Sequence, residues 1–404
     1  MRFSYWIFSL TFFTCGLSAQ VLTREDSLQA GLYRSDRMTV LSGYGEAKVS
    51  YDTRFKTGEA NLTRNVIFLG HKFNSKISLF SELEIEDAKV AGGEVGGEIA
   101  MEQLFLKFNI NRDIYLAAGL FIPRIGIINE NHLPTTFNGV DRPFVETFII
   151  PSTWREIGVG IYGQTPRLQG FNYSLGVYNG LNSAEFGKGT GIREGRFEGR
   201  NATASNIAIT GAALYYLKSF RFQVSGYFGG SAGLSAREAD SLRLDSGPFG
   251  TPVILGEASA QYIGKGFTGR ILGTIVSIPD ADKINLAYAN NTPSMMWGAY
   301  AEIGFNLLSL RANSDKKFIV FSRYEMLDLN ASMPENGIKD EFTAQQYIVA
   351  GILFQPVKGV AVKADYVQRM TGTPNPALQI NPFINGQQFY ASRGFVNLGI
   401  AYSF

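Results

Sequence analysis

Residues 393–404 read RGFVNLGIAYSF, and from Val396 onward every second side chain is apolar: Val396, Leu398, Ile400, Tyr402 and Phe404. A period of two puts these five on one face of an extended strand, with small or polar residues between them. One face suits hydrocarbon and the other tolerates water.

The same alternation recurs upstream. In 39–51, Leu41, Ala47, Val49 and Tyr51 oppose Ser42, Tyr44, Glu46, Lys48 and Ser50; in 76–87, Ile77, Leu79, Leu83 and Ile85 oppose Lys76, Ser78, Glu82, Glu84 and Glu86. Counting such segments predicts sixteen strands, near 39–51, 61–73, 75–87, 99–110, 113–122, 155–164, 170–179, 206–218, 220–230, 253–264, 267–278, 294–306, 316–328, 342–355, 359–370 and 393–404. Short turns alternate with long polar connections at 52–60, 88–98, 123–154, 180–205, 231–252, 279–293, 329–341 and 371–392. That is how transmembrane barrels are written, with tight turns at one rim and long loops at the other. The link at 307–315 is longer than this scheme expects. The expected fold is therefore all-β: a closed antiparallel transmembrane β-barrel of about sixteen strands over 39–404, in which closure leaves no unpaired edge.

Composition agrees. Among 404 residues there are 45 Gly, 31 Phe and 19 Tyr against 14 Pro, a mix that favours strands and aromatic belts over helical bundles. The 37 basic and 35 acidic side chains nearly cancel, which leaves no electrostatic footprint for nucleic acid.

The first nineteen residues, MRFSYWIFSLTFFTCGLSA, run from a basic Arg2 through an apolar stretch to small residues, the layout of a secretory signal peptide. Cleavage is expected between Ala19 and Gln20, leaving 20–38 as a short periplasmic segment before the first strand. Cys15 is the only cysteine and would leave with the leader, so the mature chain has no thiol. After the leader no stretch reaches the eighteen or so consecutive apolar residues that a spanning helix needs.

Enzyme chemistry finds little purchase. Only His71 and His132 are available as bases, and no serine or aspartate has a spacing that points to His132. His71 falls on an apolar strand face. His132 with Glu130 offers two metal ligands, which do not make a site. The glycines form no GxGxxG or GxxxxGK[ST] motif, so nucleotide binding is unsupported. No cofactor, metal or catalytic residue is expected.

Several stretches carry a family resemblance: FSELEIED at 80–87, EQLFLKF at 102–108, GLFIPRIGIINENHLPTTFNGVDRP at 119–143 and PSTWREIGVGI at 151–161, with FSRYEML at 321–327 compatible. They resemble the phosphate-selective porin O and P family of outer-membrane porins. The resemblance implies a sixteen-stranded barrel, commonly trimeric, in the outer membrane of a Gram-negative bacterium, with diffusion that needs no energy source. The terminal strand resembles the segment by which the barrel-assembly machinery recognises its clients, with Tyr402 and Phe404 as its aromatic marks.

The longest irregular run, 123–154, reads PRIGIINENHLPTTFNGVDRPFVETFIIPSTW and is the third external loop in this count. In general porins that loop folds inward and narrows the pore. Arg124, Glu130, His132, Asp141, Arg142, Glu146 and Arg155 are then candidates to set size and charge at a constriction. Glu82, Glu84 and Glu86 form an acidic row that either favours cations or serves as partners for lumen-facing basic residues such as Arg323. Arg124, Arg142 and Arg155 would suit an anion such as phosphate, and the acidic row opposes that reading. The expected function is passive diffusion of small polar or charged solutes through a water-filled pore, with outer-membrane lipid, the assembly machinery and sister subunits as partners. The alternative, from another class, is a non-transporting barrel: an enzyme or surface adhesin acting through its external loops.

Overall fold

A chain whose side chains alternate between two solvents can satisfy its backbone in a bilayer only by pairing every strand on both sides. The computed structural model, which describes residues 39–86, 98–187, 190–311, 314–375 and 389–404, does this with sixteen strands. The leader at 1–19, its cleavage point at Ala19 and Gln20, and the segment 20–38 lie outside the described residues.

Strands β1 (Thr39–Asp52), β2 (Thr57–Lys72), β3 (Ile77–Glu86), β4 (Glu98–Asn109) and β5 (Ile114–Phe121) precede the longest connection, 122–155, which carries one helical turn, α1 (Val145–Phe148). Next come β6 (Glu156–Gln164), β7 (Phe171–Asn179), β8 (Ile207–Leu217) and β9 (Phe220–Gly229). The helix α2 (Ala236–Leu242) separates β9 from β10 (Val253–Gly264), and α3 (Ala281–Tyr288) separates β11 (Phe267–Ser277) from β12 (Met295–Asn306). The chain ends in β13 (Lys317–Ser332), β14 (Ala344–Val357), β15 (Val360–Thr371) and β16 (Ser392–Ser403). Each strand pairs antiparallel with its sequence neighbours, and β1 pairs with β16 to close the barrel.

In the closing pair, Ala47, Val49 and Tyr51 lie opposite Ile400, Leu398 and Val396. These side chains belong to a continuous outer band of exposed aliphatic and aromatic groups that includes Leu41, Ile67, Leu69, Leu175, Val224, Ile271 and Ile303. A band of that extent would drive aggregation in water and suits lipid. The opposite face is buried and polar: Glu82, Glu84, Glu257, Glu302, Arg323, Glu325, Lys363 and Asp365 all point there.

The expected strands are all found, and two connections differ from expectation. The first, expected as a long loop at 52–60, is a four-residue turn at 53–56, and Thr57 already pairs with Asp52. The Asp52 carboxylate accepts hydrogen bonds from the backbone N–H groups of Arg54 and Phe55, which closes the turn early. Residues 57–60 then extend the ladder without any apolar alternation, so nothing in their side chains advertises a strand. The long link after β12 begins with one turn of 3₁₀ helix, Leu307–Leu310, capped by the Asn306 side chain, which accepts from the N–H groups of Leu308 and Phe318.

One irregularity positions the site below. Along the β3–β4 pair, Glu82 faces Gln103 while Leu83 faces Met101, so Glu102 is an extra residue in a β-bulge. Consecutive residues Glu102 and Gln103 are both buried as a result.

Candidate functional site

Connection 122–155 lies against the polar faces of many strands. The Arg270 guanidinium on β11 donates to the Thr136 carbonyl at 2.7 Å, and Asn138 donates to Glu302 on β12 at 2.9 Å. On β15, Lys363 donates to the Gly139 carbonyl and Asp365 accepts from the Val140 N–H. Farther along, Glu325 on β13 accepts from the Val145 N–H, and Lys48 on β1 pairs with Asp141 at 2.7 Å. On another side, Gln223 of β9 donates to the Gly126 carbonyl. Strands from opposite sides of the barrel thus hold one segment.

Apolar contact supports the same placement. Ile125, Ile127, Val145, Ile149, Ile150 and Trp154 are buried in one cluster with strand side chains that include Leu255, Leu272, Tyr300 and Phe321. Each such side chain, fully removed from water, contributes roughly 1.5–3 kcal/mol. Glu146 on α1 ties the segment together: one carboxylate oxygen accepts from the Ile127 and Ile128 N–H groups at 2.6 and 2.7 Å, and the other accepts from the Tyr300 hydroxyl. Burial pushes the Glu146 carboxyl up to about 7 against those three donors, which favour the anion.

Beside the segment lies a cavity of about 550 Å³. Six cationic residues, Lys48, Arg64, Arg142, Arg155, Arg193 and Arg196, and six acidic ones, Glu46, Glu86, Glu98, Asp141, Glu194 and Glu198, share its lining. Most of these charges are paired. Arg64 meets Glu46, Glu84 and Glu86 at 2.9, 3.3 and 3.5 Å, and Arg155 meets Glu198 at 2.9 Å and Glu84 at 3.6 Å. Arg142 differs: it donates to the Ser152 hydroxyl and the His132 carbonyl, and its buried Nε makes no hydrogen bond among the described residues. Burial and the neighbouring Arg64 charge lower its affinity for its proton.

The residues singled out from sequence therefore separate. Arg142, Arg155, Glu86 and Asp141 line the cavity. Glu82 and Glu84 do not; both are buried, Glu84 between Arg64 and Arg155, so the acidic row is mostly a set of partners for arginines. Arg323, 1% exposed, bridges Glu302 and Glu325 at 3.2 and 2.7 Å. Arg124 and Glu130 pair with each other at 3.1 Å, and Arg221 of β9 also contacts Glu130. Glu130 and His132, close in sequence, thus part company. The His132 ring instead approaches Glu82 and Glu102. His71 sits at the end of β2, beside the short turn at 73–76, with Thr39 Oγ1 2.8 Å from its Nδ1. At the terminus, the Tyr402 hydroxyl bonds Asn65, while the Phe404 backbone pairs with Gly43 and its ring is exposed.

Sequence reasoning missed Arg64, Arg193, Arg196 and Glu102. Arg64 stood at an alternating position of its strand and was readable; the two arginines sit in a loop with no period to read, and Glu102 owes its direction to the bulge.

No protein-family model matches the chain. Among solved structures, an OmpF of Salmonella typhi in complex with daunomycin superposes with a TM-score of 0.55 at 10% identity, covering 91% of this chain and 97% of that one. An anion-selective porin from Comamonas acidovorans gives 0.51 at 12% identity, with 91% and 99% covered. A curated relative from Aquifex aeolicus (strain VF5), described as an uncharacterized protein, is 30% identical over 350 residues, which is 83% of this chain and 77% of the relative. The barrel therefore has the fold of outer-membrane porins, and the chain belongs to the family of that Aquifex aeolicus protein.

Proposed function

We propose that the protein is an outer-membrane porin through which small polar and charged solutes diffuse passively, with connection 122–155 folded into the lumen as the constriction. The observation that carries this reading is the charge-lined cavity beside a segment held by strands on several sides of a closed barrel. Conduction through it needs neither a cofactor nor catalysis. Six cationic against six acidic linings favour modest selectivity, and Arg142, with no carboxylate ion-pair partner among the described residues, biases the passage toward anions, among which phosphate is admissible. Membership of the phosphate-selective O and P group rests on the quoted sequence stretches and belongs to the same proposal. So do a leader cleaved after Ala19, insertion in a Gram-negative outer membrane by the barrel-assembly machinery, and trimeric assembly.

Purified protein in a planar bilayer tests the reading. Stable stepwise currents are expected, with a reversal potential displaced toward anions under a salt gradient. An electrically silent barrel would instead favour the non-transporting alternative, an enzyme or adhesin working through its external loops.

A further inference from the structure

We propose that Glu82, Glu102 and His132 bind one divalent transition-metal ion, which fastens connection 122–155 to the wall formed by β3 and β4. One imidazole nitrogen and two carboxylate oxygens converge within 4.8 Å of one another, and all three residues are buried. His132 Nε2 lies 3.8 Å from Glu82 Oε2 and 3.7 Å from Glu102 Oε1. Those separations exceed hydrogen-bond length and approach the roughly 3.4 Å that separates ligand atoms around a tetrahedral ion with bonds of about 2.0–2.1 Å. A shift of a few tenths of an ångström brings each carboxylate to that distance from the imidazole nitrogen, and the fourth position of a tetrahedral ion is left for water.

Three further observations point at an ion. Glu102 Oε1 is fully buried and accepts no hydrogen bond among the described residues, a costly state for a carboxylate oxygen unless a cation completes it. Its other oxygen is held by the Tyr44 hydroxyl at 2.5 Å, which aims Oε1 at the imidazole, and Gln103 steadies Glu82 at 3.0 Å. Outer hydrogen bonds of this kind orient metal ligands and tune them. The bulge at Glu102 supplies the direction that regular pairing would deny it. Arg64 and Arg142 stand within electrostatic reach, but Arg64 is committed to Glu46, Glu84 and Glu86. One imidazole with two carboxylates suits zinc, cobalt or manganese more than a soft monovalent ion.

Titration of chelator-stripped, folded barrel with Zn²⁺ by calorimetry, and with Co²⁺ by its visible absorption, decides the matter. One saturable equivalent per chain is expected, with binding weakened more than about 100-fold in His132→Ala and Glu102→Gln and about 10-fold in Tyr44→Phe. His132→Ala changes only a connection, so its barrel is expected to stay intact by heat-modifiability on gels. Absence of saturable binding of either ion overturns the proposal, as does binding that survives both ligand substitutions. A barrel that conducts yet binds no metal would sink this inference and leave the porin reading standing.

Discussion

The Tyr300 hydroxyl donates to Glu146 Oε1 at 2.6 Å, joining barrel strand β12 to the helical turn of connection 122–155. Because burial holds the Glu146 carboxyl near 7, above its ordinary 4.5, the folded protein keeps this proton longer than the unfolded chain does. The segment's anchorage is then at full strength below about pH 4.5 and weakens as pH rises through about 7, by on the order of 3 kcal/mol in all. Thermal midpoints and open-channel noise measured from about pH 5 to about pH 8 should report a looser segment at the alkaline end. In Glu146→Gln that dependence should vanish; a profile identical to wild type would remove Glu146 as its source.

Arg142 lines the cavity, whereas Arg124 is occupied by Glu130 away from it. Substituting Arg142 by Ala should therefore move the reversal potential toward cations, and the same change at Arg124 should leave it in place. Equal shifts in the two variants would mean that the constriction lies elsewhere.

Arg323 neutralises Glu302 and Glu325 in a site from which water is excluded. Arg323→Met strands both carboxylates and should cost about 3–5 kcal/mol. Chemical denaturation of the detergent-folded barrel measures this, and a loss below about 1 kcal/mol would show the charges to be solvated.

Replacing Tyr402 and Phe404 together by Ser removes two stacked rings from the outer face of β16 and a hydroxyl contact to Asn65. Lower yields of heat-modifiable barrel in the outer membrane are expected, with unchanged conductance in the molecules that do assemble. Normal yields would deny the terminal aromatics a part in assembly.

The barrel was legible because lipid and water impose a period of two that each strand carries within itself. Where that pressure is absent the period fades, as at Thr57–Ala60, whose strand is visible only through its partner arm of the hairpin, Val49–Asp52. The site was less legible, because its geometry depends on residues far apart in the chain. Glu130 and His132 are neighbours in sequence and serve different partners, Arg124 and Arg221 for one, Glu82 and Glu102 for the other. Arg193 and Arg196 reach the cavity from a loop whose path no local pattern encodes.

Because one residue is surplus in β4, that strand changes its reading frame midway: Glu98, Ala100 and Glu102 share the inner side before the slip, and Gln103, Phe105 and Lys107 share it afterwards. Excising Glu102 alone would leave Met101 and Leu104 outside and Gln103 within, so both halves would keep their solvents. Excising Met101 would turn Glu102 into lipid, and excising Ile99 or Ala100 would send Glu98 there. The strand thus contains one adjacent pair, Glu102 and Gln103, of which either codon can be lost without turning the wall inside out.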